Sequence, residues 1–213
     1  MNNIKAAIFD LDGTLIDSMG LWAQIDREYL DSFGYTVPEN LQEEITHLTF
    51  TETAIYFKNK FKINDKIDDI ISTWNTMALN HYSHNIKLKD NVIPFLDKLK
   101  NNGIKIALAT SNSIPLLEAT LKNNGIYHYF DAISTTEEVK KSKDNPDVYL
   151  LTAEKLNVDP KECLVFEDIV QAVKGAKLEG MTVYAVHDKS AENQKTELLT
   201  LADKYVYNFG ELL

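Results

Sequence analysis

Four short apolar runs, each stopping at a polar tip, constrain the fold of this chain more than any other feature. Residues 4–9 are rich in Ile and Ala and stop at Asp10, and 104–109, 163–166 and 181–186 repeat the pattern. Runs of this length without polar alternation suit strands buried on both faces. Between them lie helical periods over 92–102, 114–124, 146–156 and 169–179. Gly103, Gly125 and Gly180 stand just past three of these, where a helix stop is expected. Strands alternating with helices predict an α/β fold, a Rossmann-like parallel sheet with helices on both faces. Residues 132–134 and 205–207 are expected to add strands, the latter at an edge.

Residues 18–87 break the alternation, because they carry only helical patterns, over 19–33, 38–48, 51–61 and 65–82. The expected organisation is a Rossmann-like core of 1–17 and 88–213 with an inserted α-helical cap of 18–87. The insert begins just after the first strand's loop, so it is expected above the carboxyl ends of the strands, where ligands bind in open α/β sheets, as a lid. Trp22, Tyr29, Phe33, Phe50, Tyr56, Phe57 and Trp74 recur near helical spacing, and most are expected in the cap's own core. His47, His81 and His84 have no acidic partner in the pattern that would make a metal site. Thr51-Glu52-Thr53 reads as a helix start.

The chain has 213 residues, 44% hydrophobic and 25% charged, enough to bury a sizeable core and unlike a disordered chain. Cys163 is the only cysteine, which excludes an intrachain disulfide and a cysteine-based zinc cage, and its apolar run makes it structural. A net charge of −10 and the lack of a Lys-rich face argue against nucleic acid as a partner. No stretch approaches ~20 apolar residues, and residues 1–10 lack the basic and apolar regions of a signal peptide. No membrane is expected, and the protein is read as a cytoplasmic monomer. An anionic substrate must then be captured locally, by a divalent cation or a well-placed lysine. Arg27 is the sole arginine among 22 basic residues, so bidentate phosphate clamps are scarce.

The run Asp10-Leu11-Asp12-Gly13-Thr14 is the strongest chemical signal. At a strand end, Asp10 and Asp12 point into one crevice and Gly13 permits a tight turn behind them. Taken alone, the run also fits a solvated turn. Thr110-Ser111-Asn112 follows the second apolar run and precedes a helix, offering a hydroxyl and backbone amides to an anion, or a plain helix cap. Lys143 stands before a helix start, where a compact positive charge can meet a phosphoryl oxygen, although a lone lysine is most often solvated surface. Glu167-Asp168 ends an apolar run and supplies hard oxygen ligands suited to Mg2+, or a favourable pair for a helix dipole.

In this order, these four elements resemble the haloacid dehalogenase superfamily, and more narrowly its β-phosphoglucomutase-like subgroup with a helical cap. The resemblance covers essentially the whole chain. It implies a Mg2+-dependent phosphatase of a small phosphorylated metabolite, a sugar phosphate among the possibilities, with a phosphomutase as the alternative. Asp10 would be the nucleophile that forms an aspartyl phosphate, and Asp12 the general acid and base. Mg2+ would be held by the Asp10 carboxylate, the Asp12 carbonyl and Asp168, with Glu167 direct or through water. Thr110, Lys143 and amides near Ser111 would bind the transferring group.

Some positions depart from the subgroup. Asp144 follows Lys143 where Pro is common, and a carboxylate turned inward there would weaken phosphate attraction. Ile169 replaces a frequent Ser after the acidic pair. Trp22 stands where the mutase has His, and Arg27 lies in the first cap helix rather than the later cap segment, which favours hydrolysis over mutase chemistry. The intact acidic set argues against a catalytically idle binding module, and a metal-ligand set has no use in dehalogenation.

Overall fold

The computed structural model describes residues 3–45, 48 and 50–213, which contain six strands and ten α-helices. Strands β1 (Ala6–Phe9), β2 (Lys105–Thr110), β3 (Ala132–Thr135), β4 (Cys163–Glu167), β5 (Thr182–Val186) and β6 (Lys204–Val206) form one parallel sheet ordered β3-β2-β1-β4-β5-β6. The order turns outward in both directions from β1, so the switch point lies between β1 and β4, where open α/β sheets place ligands. The register pairs Phe9 with Phe166 and brings Asp10 beside Glu167, and the Asp10 amide donates to Phe166 O at 3.0 Å. The expected edge strand is β6, and the other edge is β3.

Two-residue periodicity sorts the sheet's side chains. Phe9 stacks on Phe166 with centroids 4.6 Å apart, and both meet Phe95 and Phe209 edgewise or tilted on one face. Ala6, Ile8, Val165 and Val183 share an apolar cluster with Val148, Tyr149 and Ala153. By the same alternation Asp10 continues the Ala6–Ile8 row, and Glu167 the Cys163–Val165 row. Both site carboxylates therefore belong to the sheet face covered by the helix that carries Tyr149.

The helices of this unit are α5 (Val92–Asn101), α6 (Ile114–Asn123), α7 (Thr136–Val139), α8 (Asp147–Leu156), α9 (Val170–Lys177) and α10 (Lys195–Leu201). Gly103, Gly125 and Gly180 follow α5, α6 and α9 with φ of 72°, 69° and 75°, the left-handed stop that their spacing predicts. Ile169 offers no side-chain cap to α9. The Gln194 side chain instead accepts from the Val170 amide at 3.0 Å, supplying from a distant turn the acceptor that a local Ser would provide.

The chain divides into two compact units, Met1–Met19 with Ile86–Leu213, and Gly20–Asn85. Within the first, residues 15–17 and 87–89 run antiparallel, with Asp17 N bonded to Lys87 O and Lys89 N to Leu15 O, so the insert leaves and returns on adjacent backbone. The second unit is helical: α1 (Leu21–Ser32), α2 (Leu41–Ile45), α3 (Phe50–Lys60) and α4 (Ile67–His84). Its core is narrower than the aromatic spacing predicts. Tyr29, Phe57 and Trp74 are buried with mutual centroid distances of 5.0–6.3 Å, whereas Trp22, Phe33 and Phe50 lie about 40% exposed at its margin. His81 is buried and does have an acidic partner, Glu28 Oε2 at 3.0 Å, with Asn85 on its other ring nitrogen. His84 bonds its own helix at Asn80 O, and His47 lies outside the described residues.

Candidate active site

Four of the seven residues singled out from the sequence meet at the switch point. Lys143 Nζ donates to Asp10 Oδ1 and, at 2.7 Å, to Glu167 Oε1. Asp168 adds a third carboxylate, and one oxygen from each of Asp10, Glu167 and Asp168 lies within 4.8 Å of the others. Lys143 is 7% exposed, far from the solvated surface that a lone lysine favours. Its backbone is held close to α9, because a Cβ on Gly175 would collide with the Lys143 carbonyl. Asp144 faces away: it is exposed and bonded by Ser142 and Asn145, so it does not compete inside the site.

Asp12 is not one of the three grouped carboxylates, although its charge reaches Asp10 and helps to raise that group's pKa. Ser18 Oγ donates to Asp12 Oδ1 at 2.6 Å and Asn112 Nδ2 to its Oδ2 at 2.8 Å, which fixes its orientation between the first and second motifs. Thr110 is buried at the end of β2, and its hydroxyl accepts from the Asn112 amide at 3.0 Å. Ser111 is exposed and makes no side-chain hydrogen bond among the described residues. Sequence reasoning passed over Tyr149, whose hydroxyl donates to Glu167 Oε1 at 2.8 Å, and the side-chain roles of Asn112 and Ser18. The signal for Tyr149 was its place one turn into the helix that follows Lys143.

The electrostatics follow from crowding without water. Burial raises the Asp168 pKa to about 8, reinforced by Asp10 and Glu167. Burial likewise lifts Glu167 to about 7 against the pull of Lys143, and raises Asp10 against the same pull. Burial works against the Lys143 charge, but Asp10 and Glu167 outweigh it, and the ammonium is held more firmly than an ordinary lysine. Burial and the Glu167 charge also raise the Tyr149 phenol well above its usual range, so it stays a donor. Cys163 is inert by comparison, since burial pushes its thiol up to about 12.

The residues present fit a divalent cation. Three carboxylates against one ammonium leave an excess of two negative charges when all are ionised. Glu167 Oε2 and Asp168 Oδ2 are buried and have no hydrogen-bond partner among the described residues, which a buried polar atom rarely tolerates. The donors are all hard oxygens, the set that Mg2+ takes.

A parallel sheet whose switch point carries strand-end carboxylates and a buried lysine is an α/β enzyme with its chemistry at the strand ends. A family model described as haloacid dehalogenase-like hydrolase matches residues 7–186, and the chain belongs to that family, in its β-phosphoglucomutase-like subgroup. Among its relatives is a phosphorylated carbohydrates phosphatase of Thermotoga maritima, 32% identical over 86% of this chain and 85% of its own length. Hexitol phosphatase B of Escherichia coli K12 is 29% identical over 98% of this chain and 94% of its own. Among solved structures, a Thermotoga maritima protein crystallised under the name of a β-phosphoglucomutase superposes with a TM-score of 0.85 at 29% identity, covering 95% of this chain and 94% of that one.

Proposed function

We propose that this protein is a Mg2+-dependent phosphatase that hydrolyses a small phosphorylated metabolite of the sugar phosphate class. The observation that carries the reading is the buried group of Asp10, Glu167 and Asp168 around Lys143, with two carboxylate oxygens that have no hydrogen-bond partner among the described residues. The names of relatives that act on phosphorylated carbohydrates and hexitols support the substrate class.

In this reading the Asp10 carboxylate attacks phosphorus and the bond to the leaving alkoxide breaks. Asp12, oriented by Ser18 and Asn112, gives that alkoxide its proton. It then takes a proton from the water that cleaves the aspartyl phosphate, so the acid is restored with each turnover. Lys143 fixes the plane of the Asp10 carboxylate and balances charge on the transferring group, with Thr110 and the amides near Ser111 as further donors. Asp10, the Asp12 carbonyl and Asp168, with Glu167 direct or through water, would hold Mg2+, which supplies charge neutralisation for the approach of two anions. The helical unit is proposed to act as the cap that selects the leaving group.

The test is a panel of phosphorylated metabolites assayed for free phosphate with Mg2+ and after chelation. Release should depend on Mg2+, and Asp10→Asn should lower it about a thousandfold or more in a folded protein. Near-normal release from that variant would sink the nucleophile assignment. A phosphomutase is the second reading, favoured by the likeness to the structure that carries that name. Glucose 6-phosphate formed from β-glucose 1-phosphate with a trace of bisphosphate, and little free phosphate, would establish it instead.

A further inference from the structure

Lys89 is the second largely buried lysine beside the site, and no step of the proposed reaction uses it. It is delivered by the antiparallel pairing of 87–89 with 15–17. Its side chain is 14% exposed, and Nζ donates to Gly13 O, to His187 O at 2.8 Å and to Asp188 Oδ2 at 2.8 Å. An ammonium has three protons to donate, so this one is saturated, and two of its acceptors are backbone carbonyls. Asp188 is itself held by the Ser190 amide and hydroxyl at 2.8 and 2.6 Å, so the anchor beneath Lys89 is fixed.

The carbonyl it grips belongs to the residue that walls the metal-side carboxylate. Gly13 has φ +84°, and a Cβ there would run into Oδ2 and Cγ of Asp168. Asp168 Oδ2 has no hydrogen-bond partner of its own among the described residues, so contact with the Gly13 backbone limits where that oxygen can sit. The Gly13 amide is tied to Ile16 O at 3.0 Å, and the Lys89 bond ties the carbonyl on the other side of a residue whose conformation only glycine adopts readily. We infer that Lys89 is a positioning residue for Asp168, acting through the Gly13 carbonyl to hold the carboxylate in place for a divalent cation. The inference rests on the Mg2+-site reading above.

Its sign sets it apart from a pure field effect, because removing a cation beside a Mg2+ site should tighten metal binding, whereas removing a positioning contact should weaken it. The experiment is a calorimetric titration of Mg2+ into metal-free wild type and Lys89→Met at about pH 9, where proton competition at carboxylates is smallest, with melting temperatures measured alongside. The expected result is a dissociation constant about tenfold higher for Lys89→Met. Lys89→Gln, which removes the charge but keeps an amide donor, carries the same criterion with a smaller shift of about threefold should the Met variant not fold. An unchanged constant with a lowered melting temperature would reduce Lys89 to a loop staple, and tighter binding would reduce it to a field effect; either overturns the inference. Wild-type protein that takes up no Mg2+ would overturn the metal-site reading and the inference with it, an outcome distinct from both.

Discussion

Tyr149 and Lys143 donate to the same oxygen of Glu167, so two buried donors hold that carboxylate while its other oxygen has no hydrogen-bond partner among the described residues. Tyr149→Phe removes one donor and no volume to speak of. The expected cost is about 1–2 kcal/mol of stability, read from urea melts, because a hydrogen bond to a charged group is lost. A kcat about tenfold lower with little change in KM should accompany it, since Glu167 loses an orienting contact outside the substrate's reach. A raised KM with normal kcat would place Tyr149 on the substrate instead. Asp10, Lys143, Glu167 and Asp168, which the fold brings together, could be singled out in the sequence because each stands at the end of an apolar run or before a helix; the roles given to them and to Asp12 are those of the proposed reaction. The side-chain contacts of Tyr149, Ser18, Asn112 and Lys89 were not legible there, since their partners lie 18, 6, 100 and 76 residues away and only folding brings them together.

At the scale of elements, the two edges of the sheet are built by one repeated device. Asp131, just before β3, donates its amide to Ile106 O of β2 at 2.7 Å, while its carboxylate accepts from the Ile106 amide at 2.8 Å and from Lys100 of α5 at 2.8 and 2.9 Å. Asp203, just before β6, does the same with Val183 of β5 and Lys177 of α9, at 2.8 Å and 2.7 Å. Partial burial raises both carboxyls, but the lysines and amides outweigh it and leave them below their ordinary value. A depressed carboxyl adds stability that is present above its unfolded pKa of about 3.9 and is lost as pH falls through the folded value. Asp131→Asn and Asp203→Asn should therefore each cost about 1 kcal/mol near neutral pH, because the Asn oxygen still accepts from the strand amide but without the charge that strengthens that bond, while the exposed lysine pairs are screened and add little. The gap to wild type should close as urea melts are taken down to about pH 3. A gap that persists undiminished there would assign the cost to turn geometry rather than charge. The strands and helices that frame this device were readable from apolar runs and glycine stops. The short helices α7 and α10, of 4 and 7 residues, were not, because neither spans enough turns to show a period. Lys155 closes the β3 edge by bonding Ile133 O, a job that no local pattern reveals.

Across the whole molecule, a net charge of −10 and a buried excess of carboxylates push in the same direction, and both favour a bound cation. Without metal, Glu167 and Asp168 have folded pKa values of about 7 and about 8, against unfolded values near 4. The folded state then binds more protons than the unfolded state between about pH 4 and about pH 8, so stability must fall as pH rises through that window. Chelated protein should melt at a higher temperature at about pH 6 than at about pH 8.5, opposite to the trend of carboxylates paired with lysines. Mg2+ supplies the balancing charge in place of protons, so in saturating Mg2+ the slope should flatten. At about 100 times its dissociation constant the ion should add about 2.7 kcal/mol. For a chain of this length that corresponds to a rise of about 5–10 °C in melting temperature, largest at the alkaline end. Calorimetric melts at the two pH values, with chelator and with Mg2+, check all of this in one set. A metal-free melting temperature that climbs with pH, or one indifferent to Mg2+ at about pH 8.5, would show that the three carboxylates do not act together as a cation site.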